Sequence, residues 1–213
     1  MSTTAMSVAN LDRKGGHPAL DFANTVDSRF KDEPASYLRT LDDIVEWHVL
    51  AGLLPAGTAK QVQAAAKSDP QLAEFAYRYG IGLREVLYRI FSAVARGGSP
   101  DPGDLEALNT ILATQRPHQQ LGVDRDGVKW QWRFDPGNPQ SIFGPVVEAA
   151  AELLTSDRLD RVKECPSDTC GWLFLDTSRN HSRHWCSMQT CGNPAKVRRF
   201  RKKKKAQAAG SRQ

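Results

Sequence analysis

Cysteine is missing from this 213-residue chain until Cys165. That absence leaves the long N-terminal portion without disulfides and without thiolate chemistry. No run of eighteen or more apolar residues occurs, so a membrane-spanning helix is not expected. The opening Met1-Ser-Thr-Thr-Ala-Met6 lacks a basic region followed by an apolar one, so export is not indicated. No nucleophile elbow, phosphate loop or glycine-rich dinucleotide turn is present, and an enzyme is not expected. Internal repeats and a heptad seam are also lacking.

What is present is unevenly distributed. Residues 157–213 hold fourteen Lys/Arg against five Asp/Glu, a balance of +9, whereas the first 156 residues balance at −4. A basic end on an acidic body is the pattern of a chain whose one end meets nucleic acid. The hydrophobic share of 40% and charged share of 25% are ordinary for a globular protein.

The body reads as mostly helical. Residues 1–14 are polar and small and read as a disordered N-terminus, and Gly15-Gly16-His17-Pro18 opens the order. Pro18 suits a first helical turn, with Phe22 and Val26 sharing a face beyond it. Residues 28–36 read as a loop. Thr40 is the expected N-cap of the next helix, with Asp43 closing a capping box and Gly52 ending the helix. A helix over 58–67 follows. A longer one over 70–96 carries Phe75, Ala76, Leu83, Leu87 and Ile90 on one stripe, where Gly80 and Gly82 are expected to permit a bend. After the Gly97-Gly98-Ser99-Pro100 break, Leu105, Leu108, Ile111 and Leu112 mark another helix. The period then changes to two. Val128, Trp130, Trp132 and Phe134 alternate after Arg125-Asp126-Gly127, which predicts a hairpin with one buried face. A last body helix spans about 140–155.

The chemistry is concentrated in Cys165-x4-Cys170 and Cys186-x4-Cys191. Four thiolates close a tetrahedral zinc site with no position left for substrate, which makes one Zn2+ structural. His181 or His184 in place of one cysteine, and disulfides in place of metal, are the competing readings. Directly behind lie residues 196–205, of which eight of ten are basic. Asn193 and Pro194 read as the start of a helix to about Ala209, with Val197 and Phe200 packed on the metal core and the cations outward. Arg198, Arg199 and Arg201 are the candidates for base contacts.

The residues from Cys165 to Asn180, Cys-x4-Cys-Gly-Trp-Leu-Phe-Leu-Asp-x-Ser-Arg-Asn, and Arg183-x-Trp-Cys-Ser-Met-x-x-Cys-Gly-Asn193 resemble the CGNR zinc finger. Gly15-Gly-His-Pro-Ala-Leu-Asp-Phe-x-Asn-Thr25 resembles the opening of the ABATE domain, which precedes that finger in bacterial stress-response regulators. Pro194 stands where the family motif has its arginine.

The resemblance implies zinc on Cys165, Cys170, Cys186 and Cys191, and DNA contact through Arg179, Arg183, Lys196, Arg198, Arg199, Arg201, Lys202 and Lys203. The expected fold is α+β, mainly α. A helical domain with a β-hairpin over 15–156 leads to a finger with a basic helix over 160–205, and residues 206–213 form a disordered tail. The expected function is a DNA-binding transcriptional regulator, cytoplasmic and nucleoid-associated. Its body would sense an effector through His17, Asp21 and Asn24, or form a homodimer. An RNA- or ribosome-binding protein is the first alternative and a zinc-fold nuclease the second.

Overall fold

The computed structural model describes residues 6–210, and the side chains of Lys203, Lys205, Ala206 and residues 208–210 are outside that description. Residues 1–5 and 211–213, parts of the two expected disordered ends, lie outside the described residues. The chain is α+β and mainly α. In order it forms α1 (Pro18–Ala23), β1 (Val26–Asp27), β2 (Ala35–Ser36), α2 (Leu41–Leu50), α3 (Ala56–Ser68), α4 (Pro70–Ala95) and α5 (Pro102–Gln115). Then come β3 (Gln119–Asp124), β4 (Gly127–Trp132), α6 (Gly144–Leu154), β5 (Val162–Glu164), β6 (Leu173–Leu175) and α7 (Asn193–Gly210). Each consecutive strand pair forms its own two-stranded antiparallel sheet.

Capping chemistry sets several starts. Thr40 accepts from Asp43 N while the Asp43 carboxylate accepts from Thr40 N, so the capping box of α2 is complete. Asp69 and Asp101 cap α4 and α5 ahead of prolines at the first helical positions. The long α4 is the central post, and α1, α2, α3, α5 and β5 all pack on it. It is unbroken through Gly80 and Gly82. Gly80 serves contact rather than bending, because a Cβ there would stand 2.6 Å from the Phe143 ring and 2.8 Å from Ile44. Phe22, Trp47, His48 and Phe143 stack edge to face beside it. His48 is fully enclosed, and burial lowers its pKa to about 4, so it packs as a neutral ring.

Four local expectations need correcting. Val8 and Leu11 are buried against the body, and Val8–Asn10 form a 3-10 turn, so residues 8–11 are not ragged. Two apolar side chains were enough to anchor an otherwise polar segment. Helix α1 stops at Ala23, so Val26 lies on β1 and shares no helical face with Phe22. Phe75 is exposed, since it faces away from the side of α4 that its neighbours cover. The hairpin β3–β4 also lacks a buried face over most of its length. Leu121, Val123, Val128 and Trp130 are 63–79% exposed, because the ribbon extends past the helices and only its base, at Gln119 and Trp132, is packed.

The start of the body is tied by one carboxyl. Asp21 Oδ1 accepts from Gly15 N at 2.7 Å, and a Cβ on Gly15 would fall 2.8 Å from that oxygen. Burial raises the Asp21 pKa to about 6, against the opposing pulls of the Gly15 N–H, Arg13 and Arg183. A carboxyl that holds its proton more tightly when folded stabilises the fold below its unfolded value. That contribution fades as pH rises through the folded value. Asp21→Asn is neutral throughout and keeps an oxygen for Gly15. Urea unfolding at a series of pH values should show the native chain losing stability relative to Asp21→Asn, by up to about 3 kcal/mol, between roughly pH 4 and pH 7. Parallel curves would contradict the assignment.

Candidate metal centre

Two backbone turns bring the sulfurs together. Cys165 follows β5, and its N–H donates to Trp172 O at 2.8 Å, while Cys170 N donates to Ser167 O at 3.1 Å. Gly171 closes this first knuckle at φ +70, with the Phe30 ring 2.8 Å from where a Cβ would be. The second knuckle is the widened first turn of the C-terminal helix. Ser187 caps it by accepting from Thr190 N, and Ser187 O accepts from both Cys191 N and Gly192 N at 3.0 Å. Residues 188–192 form a π-type turn that runs directly into α7. Helix α7 itself begins at Asn193, as expected, and the π-type turn capped by the Ser187 hydroxyl precedes it.

The four Sγ atoms all lie within 4.8 Å of one another, with Cys170–Cys186 and Cys186–Cys191 both at 3.6 Å. A tetrahedron of sulfurs at about 2.3 Å from zinc has edges of about 3.8 Å, so the donor set fits one zinc ion. The same separations are far beyond the roughly 2.05 Å of a disulfide, and all four thiols are free. His181 and His184 are exposed and outside the cluster. Three of the cysteines are buried and Cys170 is half-buried. Their protons show why a cation belongs there. Hydrogen bonds from Cys170 and Cys186 pull the Cys165 thiol down. The same contacts with Cys165 push Cys170 and Cys186 up. Metal binding requires thiolates, so a divalent ion would offset this mutual opposition among Cys165, Cys170 and Cys186.

A second centre organises the loop between the knuckles. Asp176 is completely buried. Burial would raise its pKa, but the Lys163 ammonium at 2.5 Å and the Ser178 hydroxyl and amide hold it well below the usual carboxylate range. Its carboxylate also accepts from Arg183 N at 2.9 Å. Lys163 further donates to the carbonyls of His181 and Arg183. One buried ion pair thus fixes residues 176–183. The signal for the role of Asp176 was its position at the end of the apolar run Trp172–Leu175.

The body holds this module by backbone. Asn24 Nδ2 donates to Leu173 O at 2.7 Å, and Asn24 Oδ1 accepts from Leu173 N at 2.8 Å. Leu175 N donates to Gly15 O at 2.8 Å, and Trp172 Nε1 donates to Val26 O at 2.7 Å. Arg29 N and Phe30 N donate to the carbonyls of Cys170 and Thr169. Cys165, Trp172, Leu173 and Phe174 belong to the same apolar cluster as Phe22 and Phe91.

These bonds correct the expected effector site. Asp21 and Asn24 are engaged in tying Gly15 and β6, while His17 is half-buried beside them with its Nδ1 unpartnered among the described residues. None of the three lines the principal cavities. Polar residues inside an apolar sequence run can serve docking as readily as ligand binding.

The expected DNA contacts divide in the same way. Arg179, Lys196, Arg198, Arg199, Arg201 and Lys202 are exposed, with Arg198 3.9 Å from the exposed Asp168. The Lys203 side chain lies outside the described residues. Arg183 is turned inward. Its guanidinium donates to the carbonyls of Lys14, Leu175, Trp185 and Cys186 and lies 4.4 Å from the centre of the Phe174 ring. Val197 and Phe200 are exposed at 49% and 68% and do not cover the metal core, because α7 leads away from it.

Against known families, residues 16–157 match the ABATE family, described as "Putative stress-induced transcription regulator". Residues 161–204 match the CGNR zinc finger. No curated protein matches the chain.

Metal analysis should find about one zinc per chain. Chelation, or Cys191→Ser, should lower Tm by about 10 °C or more in a single transition, since a few kcal/mol of binding supports a shared core. An unchanged unfolding of the body after zinc loss would show that docking carries no energy.

Proposed function

This chain belongs to the ABATE family and ends in a CGNR zinc finger, and on that premise we propose that it is a DNA-binding transcription regulator, not an enzyme. In this reading it works in the cytoplasm at the nucleoid, and α7 is the element offered to the duplex. The observation that carries the reading is the exposed cationic face of Lys196, Arg198, Arg199, Arg201 and Lys202, joined without a break to the turn that holds Cys191. A helix rooted in a metal knuckle presents its charge with fixed direction, which a free tail does not. Lysine and arginine on phosphate release counterions and set a steep salt dependence, while arginine also reads guanine edges.

Zinc in this reading is structural: four thiolates occupy its coordination positions and leave none for water. The nearby carboxylates support the non-enzymatic assignment. Asp176 is consumed by Lys163, Ser178 and Arg183, and Asp168 stands on the surface near Arg198. Among the described residues no helix is long and apolar enough to cross a membrane.

Binding to duplex DNA and to structured RNA, compared at matched salt, separates the DNA reading from an RNA one. Arg198→Ala, Arg199→Ala and Arg201→Ala together should weaken duplex binding and reduce the magnitude of the log–log salt slope by up to about 3. Arg183→Ala should act differently. It should cost on the order of 2 kcal/mol in urea unfolding, by orphaning four carbonyls, and leave the salt slope where it was. Preference for RNA, or a slope insensitive to the three arginines, would refute the proposal.

A further inference from the structure

A cavity of about 290 Å3 lies between α5, α6 and the base of the β3–β4 hairpin. Its walls are chemically lopsided. Leu112 and Ala151 supply apolar surface, Trp132 an aromatic one, and Glu148 and Glu152 two carboxylates one helical turn apart. Trp132 is locked in place. Its ring fills the space over Gly144, where a Cβ would approach to 2.2 Å, and its Nε1 donates to Glu148 Oε2 at 3.1 Å. Gln119 Nε2 donates to Glu148 Oε1 at 2.5 Å.

Both donors to Glu148 are neutral. They orient the carboxylate and leave its charge uncompensated, and neither Glu148 nor Glu152 forms an ion pair among the described residues. Arg116 and Glu152 border the cavity at its exposed rim, where water and salt screen their charges, and Glu148 is the half-buried carboxylate of the pair. A half-buried carboxylate without a counter-charge is costly unless a cation completes it. Gln115 gives a second, independent sign. It borders the cavity at 3% exposure, and its buried Oε1 has no partner among the described residues. An orphaned buried acceptor costs about 1–3 kcal/mol, and rotation of the terminal amide would offer that oxygen to a donor in the cavity.

We propose that this cavity binds an organic amine. The ammonium lies against Glu148 and Glu152 at the Trp132 face, with Gln115 as a further acceptor, and the apolar body lies along Leu112 and Ala151. An ammonium over an indole gains a cation–π attraction in addition to its ion pairs. A hard metal ion fits less well, since it seeks six or more oxygens and gains nothing from an aromatic or aliphatic wall. The hairpin widens the site. Trp132 and Gln119 share their face with Leu121/Trp130 and Val123/Val128, so an apolar strip runs outward from the cavity mouth. The proposal is independent of the nucleic-acid reading and is tested without DNA.

The test is calorimetric titration of the whole zinc-loaded chain at neutral pH with hexylamine, 1-hexanol and hexanoate. The indole N–H resonance of Trp132, assigned with Trp132→Phe, is followed in parallel. Hexylamine should bind and move that resonance, and the alcohol and the acid should bind about tenfold more weakly or worse. Glu148→Gln and Glu152→Gln should each weaken hexylamine by about tenfold. The Glu152 side chain forms no hydrogen bond or ion pair among the described residues, so Glu152→Gln should keep the native Tm and guard against a folding artefact in Glu148→Gln. The proposal fails if no probe binds, if the three probes bind alike, if the Trp132 resonance is unmoved, or if both glutamine variants retain full affinity.

Discussion

Strand β6 is only three residues long and completely buried, so every one of its peptide groups must find a partner inside the protein. That requirement shapes the whole chain. On one edge the need is met by β5, through the register Val162↔Leu175, Lys163↔Phe174, Glu164↔Leu173, with Cys165 N on Trp172 O and Asp176 N on Arg161 O at the ends. On the other edge no strand pairs with it among the described residues. The side-chain amide of Asn24 imitates one at Leu173, and Gly15 O serves Leu175 N. The motif that opens the body and the motif that opens the finger are therefore two halves of one hydrogen-bonded seam.

This seam explains why the cysteines are so placed. Trp172 and Cys165, at the open end of the β5–β6 pair, are fixed by the body before any ion is considered. The first knuckle is further gripped by Arg29 and Phe30. The second knuckle depends instead on the loop that Asp176 and Lys163 organise, and on the inward guanidinium of Arg183, which fastens Cys186 O to Lys14 O. Charge in this region thus does two jobs. The half-buried cations Lys163 and Arg183 complete carbonyls and one carboxylate. Among the described residues, Lys196, Arg199, Arg201 and Lys202 are exposed and meet no such network, and Arg198 lies near only the exposed Asp168.

Much of this was legible in residue order. The helical stripes, the cap at Thr40 and the cysteine quartet follow from local rules, because each depends on neighbours within a few positions. The errors share a cause. The exposure of Trp130, the inward turn of Arg183 and the engagement of Asn24 depend on what arrives from far along the chain. An alternating strand has the same pattern whether helices cover it or stop short, as they do beyond Trp132. An arginine in a basic segment has the same formal charge whether it faces water or the carbonyls of Lys14, Leu175, Trp185 and Cys186. The cavity beside Glu148 was illegible for the same reason, since its walls come from α5, α6 and the hairpin together.

The span of the Asn24–Leu173 pairing has a consequence for synthesis. The two residues are 149 positions apart, so on a ribosome adding about 5–20 residues per second the asparagine waits roughly 7–30 s for its partner to be made. Throughout that interval the nascent body carries an unmet amide and an uncovered apolar floor. Completion is vectorial: β6, made long after α1, closes the seam that Asn24 opened.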